Sequence, residues 1–475
     1  MNSVLSKIKR LFAASLILFS AVFSGCEKVE ASASVRTAPE IDVVAFDVFG
    51  DDVMPVGCWW GPYDASEITM NGVASPEWVS DEYFELLQDS GINFVSYSND
   101  FFPENRASIS KMLDLCEKYK IGYFVRDPGL KEINDPILLE MLTYSYLRKE
   151  YCLGICVGDE PKASAIDGFK NIYDTFSKTV YSKNKYLFAN LFPSYAGGES
   201  LGGSYGNYLE KFVQTTGTSF LSYDNYPFLQ SGTGVTENLP STFFDDLSSV
   251  RSVASKYGIP FWTIVQTGGQ WEEYIGKPSA PLFPTKGETL WNVNIYLAYG
   301  AKEVQYFTFI QPPFFANAGD YYDFGRNGMI GADGKKTQWY DYVKQANEQI
   351  AAIDHVLMSS RQAGVLACGY WENRLPLRDK PGGAFVKSWR ELKGISSENS
   401  SGAIVGCFDY VFEPGKCKSA FYVVNCDVYS TQNITLDFDA IYDFGLTIDG
   451  SYSEASGGEL SVTLAPGSAA LVVLK

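Results

Sequence analysis

Short apolar runs and amphipathic stretches alternate eight times along the chain between about residues 45 and 358. The runs are VMPVGCWW, INFVSYSN, GYFVRDP, CLGICVGDEP, KYLFANLFP, FLSYDNYPF, PFWTIVQTGG and VQYFTFIQPP, and each predicts a strand. Their apolar positions are continuous rather than alternate. That marks strands covered on both faces, hence a parallel sheet. Between them, DEYFELLQDSG carries Phe84 and Leu87 on one helical face and stops at Gly91. SISKMLDLCEKYKIG places Met112, Leu115, Cys116 and Tyr119 on one stripe, and TLWNVNIYLAYGA leads into the last run with Gly300 as its terminator. Eight such units predict an α/β fold closed into a (β/α)₈ TIM barrel.

The period changes after the helical stretch WYDYVKQANEQIAAIDHVL. Beyond it the chain shows hairpins only: GAIVGCFDYVF, SAFYVVNCDV, QNITLDFD and GELSVTLAPGSAALVVLK, with tight turns at Pro414-Gly415 and Asp449-Gly450. This predicts a C-terminal antiparallel β-sandwich domain. The expected boundaries are a leader over 1–26, a low-complexity linker over 27–40, the barrel over 41–358 and the sandwich over 359–475. In the leader, Lys7, Lys9 and Arg10 precede an apolar run from Leu11 to Phe23, shorter than the roughly 20 residues that span a bilayer. Phe23-Ser24-Gly25-Cys26 resembles a bacterial lipobox, so the expectation is a lipoprotein signal peptide, lipidation at Cys26 and a mature protein exported and anchored in the cell envelope.

Charge and composition narrow the chemistry. A formal charge of −18 sets the surface against nucleic acid and anionic bilayers, leaving the lipid anchor as the expected membrane link. The single histidine, His355, rules out Ser–His–Asp triads, Cys–His dyads and multi-histidine zinc sites. No cofactor or metal is expected. The eight cysteines after the leader do not form a disulfide framework by spacing. Cys152 and Cys156 would lie about 13 Å apart along one strand, at ~3.3 Å per residue, too far for a bridge.

In a barrel, the residues that end the strands converge on one mouth. Trp59 and Trp60 end the first strand, Ser98 and Asn99 the second, Arg126 and Asp127 the third, and Asp159 and Glu160 the fourth. Asn190 ends the fifth, Asp224, Asn225 and Tyr226 the sixth, Gln266 the seventh, and Tyr306 and Gln311 the eighth, with Trp271 in the loop after Gln266. AGGESLGGSYG (196–206) lacks the Lys-Ser/Thr of a P-loop and reads as a flexible loop. Carboxylates in a polar, aromatic mouth suit glycoside hydrolysis, in which one carboxyl must be protonated and the other ionised. Glu160 is the expected proton donor, because the neighbouring Asp159 charge and partial burial would both raise its pKa. Asp159-Glu160-Pro161 would also serve as a helix N-cap with an acidic first turn, a role that can coexist with catalysis.

The chain resembles clan-A glycosidases, the large clan of retaining (β/α)₈ glycoside hydrolases, and specifically glycosidase-like lipoproteins of gut Bacteroidetes. GDEP, FANLFPSYA, FLSYDNYPF, PFWTIVQT, LAYGAKEVQYFTF and LAPGSAALVVL carry the resemblance, over roughly residues 45–475. It implies Glu160 as general acid/base and an oligo- or polysaccharide substrate. Two positions depart from the clan: Gln266 stands where its nucleophilic Glu ends strand seven, and Asp159 stands where Asn usually precedes the acid/base. The expected partner carboxylate is Asp224. The alternatives are Glu272 or Glu273 in the loop after strand seven, or Asp159 orienting a substrate 2-acetamido group. Beside the hydrolase stand a catalytically silent carbohydrate-binding barrel that lost its nucleophile at Gln266, and a structural surface protein.

Overall fold

A computed structural model of the chain describes residues 30–44, 46–64, 69–70, 73–74, 76–97, 106–228, 242–268, 284–311, 328–376 and 384–475. The leader with Cys26, together with Ser98, Asn99, Trp271, Glu272 and Glu273, lies outside the described residues.

Eight parallel strands close into a barrel in sequential order. They are β1 (Val56–Trp59), β2 (Phe94–Tyr97), β3 (Gly122–Arg126), β4 (Cys152–Asp159), β5 (Tyr186–Leu191), β6 (Leu221–Asp224), β7 (Phe261–Gln266) and β8 (Val304–Phe307). Each strand is followed by a helix: α1 (Asp81–Asp89), α2 (Arg106–Tyr119), α3 (Pro136–Leu147), α4 (Phe169–Phe176), α5 (Tyr205–Thr216), α6 (Phe243–Tyr257), α7 (Lys286–Ala298) and α8 (Gln338–Ala351). The predicted (β/α)₈ architecture is the observed one.

The floor of the barrel is aromatic. Phe220, just before β6, stacks on Trp262 of β7 at 3.7 Å, and the rings of Phe94, Phe124 and Phe188 lie 5.9–6.4 Å from Trp262. Phe46, from the segment ahead of β1, closes the layer from below at 5.9 Å. Side chains of a strand alternate between faces, so residues two further along share the inward face. On that face Phe124 is followed by Arg126, Phe188 by Asn190, and Ser222 by Asp224. A packed apolar floor and a polar lip therefore come from the same strands.

The second domain is one mostly antiparallel sheet folded over its own core. Its strands are β9 (Ser360–Cys368), β10 (Leu392–Ser397), β11 (Ala403–Glu413), β12 (Lys416–Asn425), β13 (Gln432–Ile448), β14 (Ser451–Leu464) and β15 (Ala469–Leu474). The order is β9-β11-β12-β15-β13-β10, with β14 on β13. The long β13 pairs with β10 along its first half and with β15 along its second, so it turns the sheet into a sandwich. Phe421, Phe438 and Phe444 fill the space between the layers. The turn at Asp449-Gly450 has φ of +47° and +76°, as a two-residue hairpin of the primed type requires.

Two local expectations change. Within the stretch read as a linker over 27–40, residues 30–40 are structural. Arg36–Thr37 pairs with Cys417 and Lys416 of β12, and Ala31 N donates to Ile441 O at 2.8 Å. Arg36 is the anchor, reaching Glu391 at 3.2 Å and Asp409 at 3.1 Å. Despite the burial of Asp409, Arg390 and Arg36 hold its carboxyl below the ordinary range. Within 196–206, residues Gly197–Leu201 form a helical turn that ends at Gly202 in the left-handed region, and Ser204 then caps α5. Cys417 pairs with Val411, and a β-bulge at Phe412 shifts the register by one before Glu413 meets Lys416. All eight cysteines of the described residues are buried free thiols.

The domains meet along α7. A capping box starts this helix: Glu288 N donates to Thr285 Oγ1 at 3.3 Å and Thr285 N to Glu288 Oε2 at 2.8 Å. Every residue from Gly287 to Ala298 is buried, because the sheet covers the face that a barrel helix normally shows to solvent. Tyr422 Oη donates to Asn294 Oδ1 at 2.6 Å, and Asn294 Nδ2 to Gly467 O at 2.9 Å. The backbones nearly touch: a Cβ on Gly406 would lie 2.2 Å from the Ala298 carbonyl oxygen. Gly406→Ala is therefore expected to lower unfolding free energy by about 1–3 kcal/mol, in the range of overpacked sites. Gly394→Ala, where a Cβ meets nothing within 4 Å, should leave it within ~0.5 kcal/mol. Urea titration of the two variants checks both.

Candidate active site

Strand β4 reaches the lip with a bulge against β5 between Cys156 and Gly158. Gly158 is required there, since a Cβ would meet the Phe169 ring of α4 at 2.6 Å. Beyond Asp159, Glu160 turns into the left-handed region with φ +43°, a conformation that costs a residue with a Cβ about 1–2 kcal/mol. Two contacts hold the turn. Glu160 N donates to Asn190 O at 2.9 Å, and Tyr208 Oη of α5 donates to Pro161 O at 2.8 Å. Glu160 is half-buried and Asp159 exposed.

Asn190 lies between the acids. Ser222 Oγ donates to its Oδ1 at 3.1 Å, which turns the amide nitrogen toward the mouth. Nδ2 then donates to Asp224 Oδ1 at 2.7 Å and to Asp159 Oδ1 at 3.5 Å, so those two oxygens are within about 6 Å of each other. Behind Asp224, the carboxylate of Asp246 on α6 accepts from Ser194 N and Asn225 Nδ2, both at 2.9 Å.

Burial pushes the Asp224 carboxyl up to about 6. The Asn190 amide opposes this by favouring the charged form, and the Asp246 charge adds to it. Burial likewise carries Asp246 to about 6 against the pull of its hydrogen bonds to Ser194 and Asn225. Two phenols close the constellation. Burial first, then the charges of Asp224 and Glu160, hold the Tyr195 and Tyr226 hydroxyls well above the phenol range. The Tyr195 residue remains 45% exposed, so its ring faces solvent while its hydroxyl faces the acids. Tyr226 packs on Phe307 with ring centroids 5.4 Å apart.

The remaining expected site residues separate. Arg126 occupies an inward lip position and is half-buried. Trp60, 3% exposed, packs against Tyr63 instead of offering an open face. Tyr306 points away from the mouth, because Gln305 and Phe307 take the inward positions of β8. Its hydroxyl donates to Asn347 Oδ1 of α8 at 2.6 Å, so it is a packing residue rather than a substrate contact. Gln266 reaches the lip but is spent on backbone: Oε1 accepts from Phe228 N at 3.0 Å, and Nε2 donates to Phe228 O and Gly268 O at 3.1 Å each. Both amide hydrogens are used, which leaves no donor for a ligand. Asp246, Ser222, Tyr195 and Tyr208 join the site without having been expected there. Of the four, only Ser222, at two-residue spacing from Asp224 on one strand, carries a signal in the sequence. Among the described residues, no group of three His, Cys, Asp or Glu is placed to hold a metal ion.

Gln266→Glu is expected to destabilise by about 1–3 kcal/mol or more, since it would set a carboxylate against two carbonyl oxygens. Thermal melts read this directly, and gained activity from this variant would contradict the bracing role. The carboxyl of Asp224 is raised from 3.8, so the folded state takes up protons that the unfolded state releases between about pH 4 and 6. Stability contributed by this group is therefore lost as pH rises through that window. Asp224→Asn should raise Tm at pH 7.5 and change it little at pH 4.

No protein-family model and no curated protein matches the chain in sequence. In fold it is similar to a catalytic mutant of a GH42 β-galactosidase from G. stearothermophilus, with a TM-score of 0.54 at 9% identity over 89% of this chain and 98% of that one. Weaker likenesses reach a β-galactosidase from the psychrophilic Marinomonas ef1 (TM-score 0.46, 12% identity, 66% of this chain) and an exo-β-1,4-mannosidase from Opitutaceae bacterium strain TAV5 (0.39, 15%, 69%). The chain spans 63% of each of these two. At such identities the likeness is one of fold: a closed eight-stranded parallel barrel with a separate, mostly antiparallel sheet toward the C-terminus.

Proposed function

We propose that the protein is a glycoside hydrolase acting on an oligo- or polysaccharide at the C-terminal mouth of the barrel, with Glu160 and Asp224 as its carboxyl pair. The supporting observation is the clustering of three acids at one lip, two of them joined through a single fixed amide, with two phenols alongside. Glycosidic cleavage needs one carboxyl that keeps its proton and one that does not. Asp224, carried to about 6 by burial, is the donor to the leaving oxygen, where the sequence alone favours Glu160. Glu160, half-open at the lip, then acts as nucleophile or as the base for water. Its left-handed backbone supports this role, since such strain persists where the surroundings over-determine it, as at active sites. Asp159 and Asn190 orient the pair, and the exposed ring of Tyr195 offers an apolar face to a sugar. Anchoring of the mature protein in the envelope through Cys26 belongs to the same reading.

The bracing role of Gln266 favours a second reading. The position of the clan's nucleophile is occupied by a backbone brace, as in a barrel that binds glycans without cleaving them. A glycan panel separates the two. Glu160→Gln and Asp224→Asn should each reduce kcat/KM by about 10²–10⁴-fold, the usual worth of a positioned acid or base. Wild-type kcat should fall as pH rises through about 6, where Asp224 loses its proton, and Asp224→Asn should abolish that limb. Binding without turnover in the wild type would favour the second reading.

A further inference from the structure

Helix α3 presents an apolar stripe to solvent. Ile137 is 69% and Met141 72% exposed; with Leu138, Tyr144 and the adjacent Val180 they make five of the nine large hydrophobic residues exposed among the described ones. Ile137, Met141 and Tyr144 fall at i, i+4 and i+7, one line along the helix. The ends of that line carry opposite charge. Glu132 and Asp135 lie at its N-terminal end, and Arg148 and Arg106 at its C-terminal end, Arg106 being fixed by hydrogen bonds to Ser145 Oγ and Leu142 O. None of these four makes an ion pair within the described residues.

We infer that α3 docks on the α3 of a second copy of this chain, antiparallel about a two-fold axis beside Met141. The stripe is self-complementary in that orientation: Ile137 of one copy meets Tyr144 of the other, and Met141 meets its own equivalent. Glu132 and Asp135 then face Arg148 and Arg106 of the second copy, and the helix dipoles oppose favourably. A parallel arrangement would instead set acid against acid and base against base. The apolar face and these charges, which lack an ion partner of their own, thus select one partner and one direction. A chain with formal charge −18 otherwise repels its own kind, which makes the local pairing necessary.

Cysteine cross-linking of the full chain tests this, with the unsubstituted chain as background, since the native thiols of the described residues are buried. Under mild oxidation Met141→Cys should run as a covalent dimer on non-reducing gels. Ile137→Cys should not, because its two copies would be offset by about 10 Å along the axis, beyond disulfide reach. Arg148→Glu should reduce the Met141→Cys cross-link at least tenfold, and adding Glu132→Arg should restore it. Absence of the Met141→Cys dimer, equal cross-linking at residue 137, or indifference to Arg148→Glu would each overturn the inference. So would a monomer that binds neutral phosphatidylcholine vesicles through this stripe.

Discussion

Carboxylates crowded into a small mouth repel unless they share a proton or a donor stands between them, and here the donor is the side-chain amide of Asn190. Its two N–H groups point at Asp224 and Asp159, Ser222 fixes which way the amide faces, and its main-chain carbonyl takes the N–H of Glu160. One residue at the end of one strand therefore sets the position of all three acids. Its own position is inherited from below, because Phe188, two residues earlier on β5, is locked into the aromatic floor around Trp262. The precision of the lip is a property of the packed barrel rather than of loops.

The electrostatics of the lip run against stability. Asp224 and Asp246 are both withdrawn from water, and that burial lifts their carboxyls to about 6, with the Asp246 charge adding to the rise at Asp224 and the Asp245 charge to that at Asp246. A fold selected for stability alone would place amides there. Acids in this setting, beside a backbone turn that an ordinary residue adopts reluctantly, accord with the proposed hydrolase reading, in which chemistry and stability compete.

Much of this is legible in the sequence, for identifiable reasons. All eight barrel strands are visible because burial on both faces makes each an unbroken apolar run, and the sandwich because its strands alternate between tight turns. The lip acids are legible because strand ends converge. Faces are harder. Tyr306 is expected in the mouth because β8 is buried along nearly its whole length, although the one polar residue of VQYF, Gln305, marks the inward face. Gln266 does stand at the rim, but its partner is the backbone at Phe228, which no pattern announces. The stretch 27–40 looks featureless because it carries no apolar period. Arg36 is the informative residue there, and its acidic partners lie more than 350 positions away. Asp246 escapes notice because it sits in the first turn of a helix, where an acid is commonplace.

The burial of α7 on every side bears on how this protein can be taken apart. The helix belongs to two hydrophobic interiors at once, and Gly406 and Gly467 bring the sheet backbone against it with no room for a side chain. Arg36 fastens the chain ahead of the barrel to the sheet beyond it, so the connection is made twice. Such a molecule is not modular in the way its sequence suggests. Cutting between the two patterns would strip a barrel helix of its outer cover and leave it sticky, so the barrel and its companion have to be inherited, expressed and engineered as one piece.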